Sequence, residues 1–530
     1  MRMLKAPKKH PWILLLGIAV LGVALDLIVI RRGVGATGDA VWYMQGAENI
    51  LKGYGYAIVR GDGVLPTTLY PPFYSIVLAG LGALGMPIFT LAGIFNALLL
   101  GANIFLAGWL TYRLSGSAPA AILGSTLTLL CIDLFLIHTW AMSEPLFLTL
   151  TLLGFLFIVH YQKGGRRLYL LLAGLAAGLS VITRLVGISL VAALCLWILI
   201  CGKGNGRKRL AEAVILGLLG LVPVALFFVR NAALTDTLAG RSAVVFRAIP
   251  AENFVNMALT LTSWYLPGIA YRLPTVYMEA LFVGLMLLSA VLFVLSVRRL
   301  PRTENDDQRL YTHFEYLALL FLLLYVLTFM GSIYLSLAGS PTSWTATQIS
   351  RYLTPVFPVF LILAMLVFLR VHGLLSGKRK AYGLAAVGVA LAFLALYLYT
   401  FSNLRDKHIY LGYTEIRNDY PALVAELKAI DPARPIIASN YELGCFLAGR
   451  PVYSMPGEGD ELTGLPNPDL PQLLQKMSDL LDGGAVLMVY RSTPDETFYY
   501  DSMLADLALL NSYGDGRISI SLYAQPGQDQ

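Results

Sequence analysis

The residues best placed to do chemistry in this 530-residue chain are two carboxylates and two guanidiniums, each beside an apolar run. Asp39 stands in Thr37-Gly38-Asp39-Ala40 and Glu144 in Ser143-Glu144-Pro145. Arg184 closes one apolar run, and Arg351 stands in Ser350-Arg351-Tyr352 ahead of Pro355 and Pro358. A carboxylate at the mouth of a cavity between helices can accept a proton from an attacking group. Guanidiniums at headgroup level can grip a phosphate through paired N–H donors. Each also has a bland reading. Asp39 can cap a helix, Glu144 can simply favour a helix start, and a lone arginine usually snorkels to the interface. Asp133 and His138, just before Glu144, read best as a structural polar pair. What lifts the four above these alternatives is that the topology puts all of them on one side of a bilayer.

That bilayer is read from composition. Hydrophobic residues make up 57% of the chain and charged residues 13%, which places it in the membrane class and outside the soluble ones. The net charge of +7 is no nucleic-acid footprint, because the basic residues cluster between apolar runs, as membrane topology requires. The four cysteines show neither a disulfide framework nor zinc-ligand spacing. The first run, about 12–30, follows Lys5, Lys8 and Lys9 and is too long for a cleaved signal, so it reads as a retained helix.

Further runs at about 88–112, 119–140, 145–161, 168–184, 186–201, 210–229, 277–297, 314–337, 353–371 and 381–401 bring the expectation to about eleven crossings. Basic clusters at the N-terminus, Arg166–Arg167, Arg207–Arg209, Arg298–Arg302 and Lys378–Lys380 mark the inner loops. The N-terminus is then cytoplasmic and the C-terminus outside, in a plasma (inner) membrane. The segment 73–86, entered through Pro71 and Pro72, is short for a crossing and is expected to dip into the outer leaflet. Residues 31–87 thus form an outer loop in which Trp42, Tyr43, Ala47, Ile50 and Leu51 repeat at helical spacing, predicting an amphipathic helix on the membrane surface. The loop from Arg230 to about 276 adds Arg241 and Arg247 as a positive patch on the same side.

After about residue 404 the pattern alternates helix and strand, predicting a small α/β domain over 404–530 behind a transmembrane domain over 1–403. The expected order is a helix at 421–430, a strand at 435–438, a helix at 471–481, a strand at 485–490, a helix at 501–510 and a strand at 518–523. Asp460 and Glu461 read as a solvated loop. The fold class is therefore mainly α, a polytopic helical bundle with a C-terminal α/β domain.

Taken together, Gly38-Asp39-Ala40 with Tyr43, the run Tyr70-Pro71-Pro72-Phe73-Tyr74, Ser143-Glu144-Pro145, Gly174 to Gly178 leading into Thr183-Arg184, and Arg351-Tyr352 with its following prolines resemble the GT-C superfamily. These are integral-membrane glycosyltransferases, and the resemblance is to the protein O-mannosyltransferase and aminoarabinose transferase branch. It covers most of the chain. It implies transfer of a sugar from a polyprenyl-phosphate carrier to a hydroxyl of a lipid, glycan or protein on the outer face, with Asp39 as base. It also implies Glu144 as a second site carboxylate, in a place where relatives commonly have aspartate. Tyr70 and Pro71 depart from members that carry an acidic and a basic residue there, which leaves the need for a divalent metal ion open. Tyr43, Tyr70, Arg241 and Arg247 are candidate substrate contacts, Arg184 and Arg351 candidate phosphate contacts, and no nucleic-acid partner is expected. The competing reading is a transporter or flippase of lipid-linked sugars. That would call for charges at the bilayer midplane and paired halves.

Overall fold

The computed structural model describes residues 11–235, 237–238, 247–298, 306–339, 344–376, 380–403, 409–459, 466–493 and 496–527. Long apolar stretches satisfy their backbone groups internally, so they fold as helices. Eight described helices, from Pro11–Arg32 to Gly383–Ser402, are long and apolar enough to cross a membrane. A ninth candidate is the pair Ala118–Leu130 and Ile132–His138, bent by 64° at Cys131, whose extended backbone interrupts the helix. The eleven crossings expected from the sequence also need Arg167–Thr183 and Leu185–Cys201, both shorter. The first of these has 17 residues and is about 25 Å long. Phe73–Gly82 has 10 residues and is about 15 Å long, half the thickness of a bilayer's hydrocarbon.

Leu218, Leu226, Val229, Leu287, Val291, Leu327 and Leu398 are exposed around the bundle, an arrangement that suits lipid and not water. The protein is integral to a membrane. Inside the bundle, small residues allow close approach. A methyl group at Gly178 would lie 2.3 Å from the Leu219 carbonyl oxygen, so this glycine sets how tightly Arg167–Thr183 packs on Gly206–Leu234.

The segment 31–87 is more structured than the sequence predicts. The helix Gly38–Leu51 is covered on both sides. Tyr43, Met44 and Ala47 pack with Leu78, Leu91 and Met142, while Val41 packs with Leu443 and Val452. Protein therefore covers both flanks of this helix, Val41 filling the side opposite the apolar stripe of Tyr43, Met44 and Ala47. An antiparallel hairpin follows, β1 (Ala57–Arg60) and β2 (Gly63–Pro66), turning at Gly61 with φ +61°. The loop expected from Arg230 onward begins as helix, since Gly206–Leu234 runs through it, and it contains a further helix, Ala251–Tyr265.

Beyond the bundle lie β3 (Ile436–Ala438), β4 (Tyr453–Ser454), β5 (Val486–Arg491), β6 (Ala508–Gly514) and β7 (Ser519–Ala524). They form one sheet in the order β4-β3-β5-β7-β6. β3 is parallel to both neighbours, whereas β7 is antiparallel to β5 and β6. Ile436, Ala438, Val486 and Met488 face the helices Pro421–Ala429 and Tyr441–Ala448. The alternate residues Ile437, Leu487 and Val489 face Leu470–Asp482, as a two-residue period demands. The helix expected at 501–510 ends at Leu504, and Ala508–Gly514 is a strand. Met503, Leu504, Leu507 and Leu510 suit helical spacing, but pairing with β7 decides the outcome. The helices Tyr413–Asp419 and Tyr441–Ala448 are additions to the expected order. Asp460 and Glu461 lie outside the described residues.

Sheet domain and outer loop are joined by main chain. Ala36 N–H donates to Leu411 and Tyr413 N–H to Ala36, at 3.1 and 2.9 Å. Gly412, between them, has φ +63°, and a methyl group there would sit 2.3 Å from the Ala36 oxygen. Gly412→Ala should therefore cost about 1–3 kcal/mol and lower the thermal unfolding midpoint. An unchanged midpoint would show that the junction carries no load.

Candidate active site

The junction explains why Asp39 and Glu144 meet. The extended segment ahead of Gly38–Leu51 is pinned on its other edge to residues 139–141: Gly35 N–H donates to Thr139 O at 2.8 Å and Ala141 N–H to Gly35 O at 2.9 Å. Asn96 holds that turn from below, its Nδ2 donating to the Trp140 and Met142 carbonyls at 2.6 and 3.1 Å. Asp39, in the first turn of one helix, and Glu144, at the start of Glu144–Gly164, are thus fixed by one short ladder. The helix cap at Thr37 makes no side-chain bond, and the Asp39 carboxylate is engaged elsewhere, so the capping role is not the one it fills.

Both arginines converge on these carboxylates. Arg351 leaves Ala346–Leu353, a helix started by a Thr345/Gln348 capping box. Its Nη2 lies 2.6 Å from Asp39 Oδ2 and its Nε 3.0 Å from Glu144 Oε1. Arg184 follows Arg167–Thr183 in extended conformation, ahead of the single turn Leu185–Gly187. Its Nη1 lies 2.9 Å from Glu144 Oε1 and donates to Ser143 Oγ at 3.3 Å. The Tyr352 ring lies under both guanidiniums, with Cζ-to-centroid distances of 4.3 Å for Arg184 and 5.1 Å for Arg351. On the far side Tyr70 OH donates to Asp39 Oδ1 at 2.7 Å. The result is one chain, Tyr70–Asp39–Arg351–Glu144–Arg184, with charges in balance.

Bonding capacity remains unspent inside it. Glu144 is fully buried, and neither its Oε2 nor Arg184 Nε has a hydrogen-bond partner among the described residues. A buried acceptor and a buried donor of this kind cost free energy until partners arrive. Burial pushes the Asp39 carboxyl up, but Arg351, the Tyr70 and Arg351 hydrogen bonds and the Arg184 charge outweigh it and hold the group below the ordinary carboxylate range. Burial and then the Asp39 charge keep the Tyr70 hydroxyl protonated well above its usual range, so it stays a donor.

Asp39, Glu144, Arg184, Arg351 and Tyr70 are thus brought together. Tyr43 is buried behind them, its hydroxyl accepting from Ser143 Oγ at 3.0 Å and its ring edge-on to Tyr70 at 5.4 Å. Arg247 is exposed and shares no ion pair or hydrogen bond with the group; Arg241 lies outside the described residues. Asp133 and His138 do not form a pair. His138 meets Asn103 at 3.0 Å, and Asp133 accepts from Tyr271 at 3.3 Å. The roles of Tyr352 and Ser143 escape the sequence, although both adjoin residues it singles out. Among the described residues no three His, Cys, Asp or Glu side chains lie close enough to share a metal ion. Arg351 stands between Asp39 and Glu144 where a bridging divalent cation would sit. The two carboxylates therefore do not fit such a site, and the guanidiniums supply the positive charge.

No family model matches the chain, and no curated protein matches it. Solved structures do. The chain shares its overall fold with two structures of one membrane protein. It is similar to ArnT from Cupriavidus metallidurans bound to undecaprenyl phosphate, at 16% identity and a TM-score of 0.60 over 96% of this chain and 97% of that one. The apo state of the same protein gives a TM-score of 0.57 at 16% identity, over 96% and 98%. The archaeal oligosaccharyltransferase AglB from Archaeoglobus fulgidus aligns more loosely, with a TM-score of 0.49 at 14% identity over 97% and 74%.

Proposed function

We propose that this protein is a glycosyltransferase moving a sugar from a polyprenyl-phosphate donor to a hydroxyl acceptor, with Asp39 as base. The observation that carries the reading is Arg184 and Arg351 held side by side over Tyr352, one of them bound to a carboxylate that can act as base. The ArnT structure with undecaprenyl phosphate supports a polyprenyl-phosphate partner. A sugar on such a carrier is already activated, because the phosphate departs with its electron pair, so no nucleotide or redox cofactor enters the reaction.

Asp39 takes the acceptor's hydroxyl proton as its oxygen bonds to the anomeric carbon. The carbon–oxygen bond to phosphate breaks on the opposite face, which inverts the centre. Arg184 and Arg351 stabilise the charge gathering on the phosphate, in a site partly shielded from water where such interactions are strongest. Arg351 serves both ends. While it holds Asp39 the carboxylate is a weak base, and when the donor phosphate draws it away Asp39 regains proton affinity. The base is activated by donor binding. Tyr70→Phe removes one bond that lowers the Asp39 pKa. Asp39 works only when ionised, so the acid limb of the rate profile should shift to higher pH, whereas an unmoved limb would detach Tyr70 from the base.

The side of the membrane follows from charge. Arg166, Arg167, Arg207 and Lys208 are exposed at the bundle end away from the site, and Lys163 Nζ donates to the Arg113 carbonyl there. The positive-inside rule supports a cytoplasmic location for that end, with site and sheet domain facing outward. Protease added to right-side-out vesicles should cut the C-terminal domain; a protected domain reverses the orientation. In a strain lacking the gene, a lipid-linked sugar should accumulate relative to the parent, and identical lipid extracts would count against the donor assigned here. The transporter reading draws support from one residue, Asp26, buried in Pro11–Val29 with no hydrogen-bond partner among the described residues.

A further inference from the structure

Beside Asp39 the sheet domain brings up a second set of polar and aromatic groups that the transfer step leaves unused. β3 and β5 run parallel and end there, the end of such a sheet at which ligands bind in open α/β folds. Tyr490, near the end of β5, donates its N–H to Ser439 Oγ at 2.8 Å. Asn440, just past β3, caps the helix Tyr441–Ala448 through Leu443 N–H at 2.9 Å and accepts from Tyr413 OH at 3.3 Å. Glu442, in the first turn of that helix, reaches across to the outer loop, where its Oε1 accepts from Trp42 Nε1 at 3.0 Å. A methyl group built on Gly38 would lie 3.6 Å from Glu442 Cγ, and Gly38 adjoins Asp39. Trp42 is three residues beyond Asp39 on the same helix, hence on the same face, with its ring 5.7 Å from Tyr70.

Trp42, Tyr413, Tyr490 and Glu442 are all half-buried, and Tyr410, within electrostatic reach of Tyr413 together with Glu442 and Tyr490, is exposed. Among the described residues Glu442 makes one hydrogen bond, through Oε1. The surroundings are therefore flat ring faces around a carboxylate with accepting capacity left, one helical turn from the base. Aromatic faces cover the C–H face of a pyranose while a carboxylate accepts its hydroxyls. An apolar side-chain pocket or a long unpaired strand edge, which a peptide would need, is not what these residues build.

We propose that this crest is the acceptor subsite and that it binds a saccharide, with Glu442 accepting its hydroxyls and Trp42 and Tyr490 stacking on the ring. The proposal rests on the glycosyltransferase reading above and names the acceptor class for the same site. It makes the C-terminal domain part of the reaction centre, orienting one acceptor hydroxyl toward Asp39.

The test uses the purified full-length protein in detergent and saturation-transfer NMR. The probes are methyl glycosides of mannose, glucose, galactose and N-acetylglucosamine, together with a Ser/Thr hexapeptide. Retention of undecaprenyl phosphate is measured in parallel. Glu442→Gln preserves an acceptor for Trp42, so the junction stays intact, and Tyr490→Ala removes a ring without touching Asp39; unfolding midpoints near wild type confirm both folds. At least one glycoside should receive saturation from the wild type. Its binding should weaken about tenfold or more in Glu442→Gln, as for a lost charge-assisted hydrogen bond, with undecaprenyl phosphate retention unchanged. Saturation of no glycoside, equal saturation in wild type and both variants, or saturation of the peptide alone overturns the proposal. Glycoside binding that depends on Glu442 in a protein that retains no undecaprenyl phosphate would instead leave the subsite standing and remove the donor reading.

Discussion

Asp39→Asn is expected to lower sugar transfer about a hundredfold to ten-thousandfold, the contribution of a positioned base. The amide can still accept the Tyr70 hydrogen bond, so the helix start keeps its shape while the proton acceptor is gone. The same change releases Arg351 from an ion pair of 2.6 Å and leaves it free for the donor phosphate. The loss should therefore fall on kcat, with KM for the polyprenyl-phosphate sugar unchanged or lower, the pattern of an interaction made in the transition state. Steady-state rates at equal amounts of folded protein decide the matter. Wild-type kcat in the variant would remove Asp39 as base, and a raised donor KM with kcat intact would make it a binding residue.

Glu144→Ala is expected to be the most destabilising single change in the site. Glu144 is fully buried and faces both Arg184 and Arg351, at 2.9 and 3.0 Å. Removing it leaves buried positive charge uncompensated, which costs about 3–5 kcal/mol. The effect should be strongly non-additive: combining Glu144→Ala with Arg184→Met should recover part of the unfolding midpoint, because the charge that lacked a partner is removed as well. Activity should not recover, since Arg184 is also a phosphate contact. A single variant within about 0.5 kcal/mol of wild type, the range of an ordinary surface change, would contradict the ion-pair chain.

Much of the arrangement is legible in the sequence, for a specific reason. Bilayer thickness and the placement of Arg166, Arg207 and their neighbours act on every loop at once, so they sort residues by side without any knowledge of packing. That sorting singled out Asp39, Glu144, Arg184 and Arg351. It could not tell that Arg351 touches both carboxylates or that Tyr352 lies under both arginines, because these contacts depend on how four separated segments pack.

Other features carry local signals in the sequence. Gly61-Asp62 is a hairpin turn between Val59 and Val64. Asn440 and Gly449 bracket the helix Tyr441–Ala448 as cap and stop. The stretch 501–510 had no such signal, since its leucines suit helix and strand alike until β7 claims them. The second face of the helix Gly38–Leu51 is hidden for a different reason. An apolar stripe tells which side of a helix is covered by the membrane domain, but not that a second domain covers the other.

The central claim is chemical turnover of a lipid-linked sugar, and it is tested most directly in proteoliposomes of the full-length protein. They are given a polyprenyl-phosphate sugar labelled in the sugar and an envelope extract as acceptor. The account predicts that label appears in the acceptor, that free polyprenyl phosphate forms in equal amount, and that both cease in Asp39→Asn. Label that remains on its carrier and crosses the bilayer unchanged would contradict the account and make the protein a flippase.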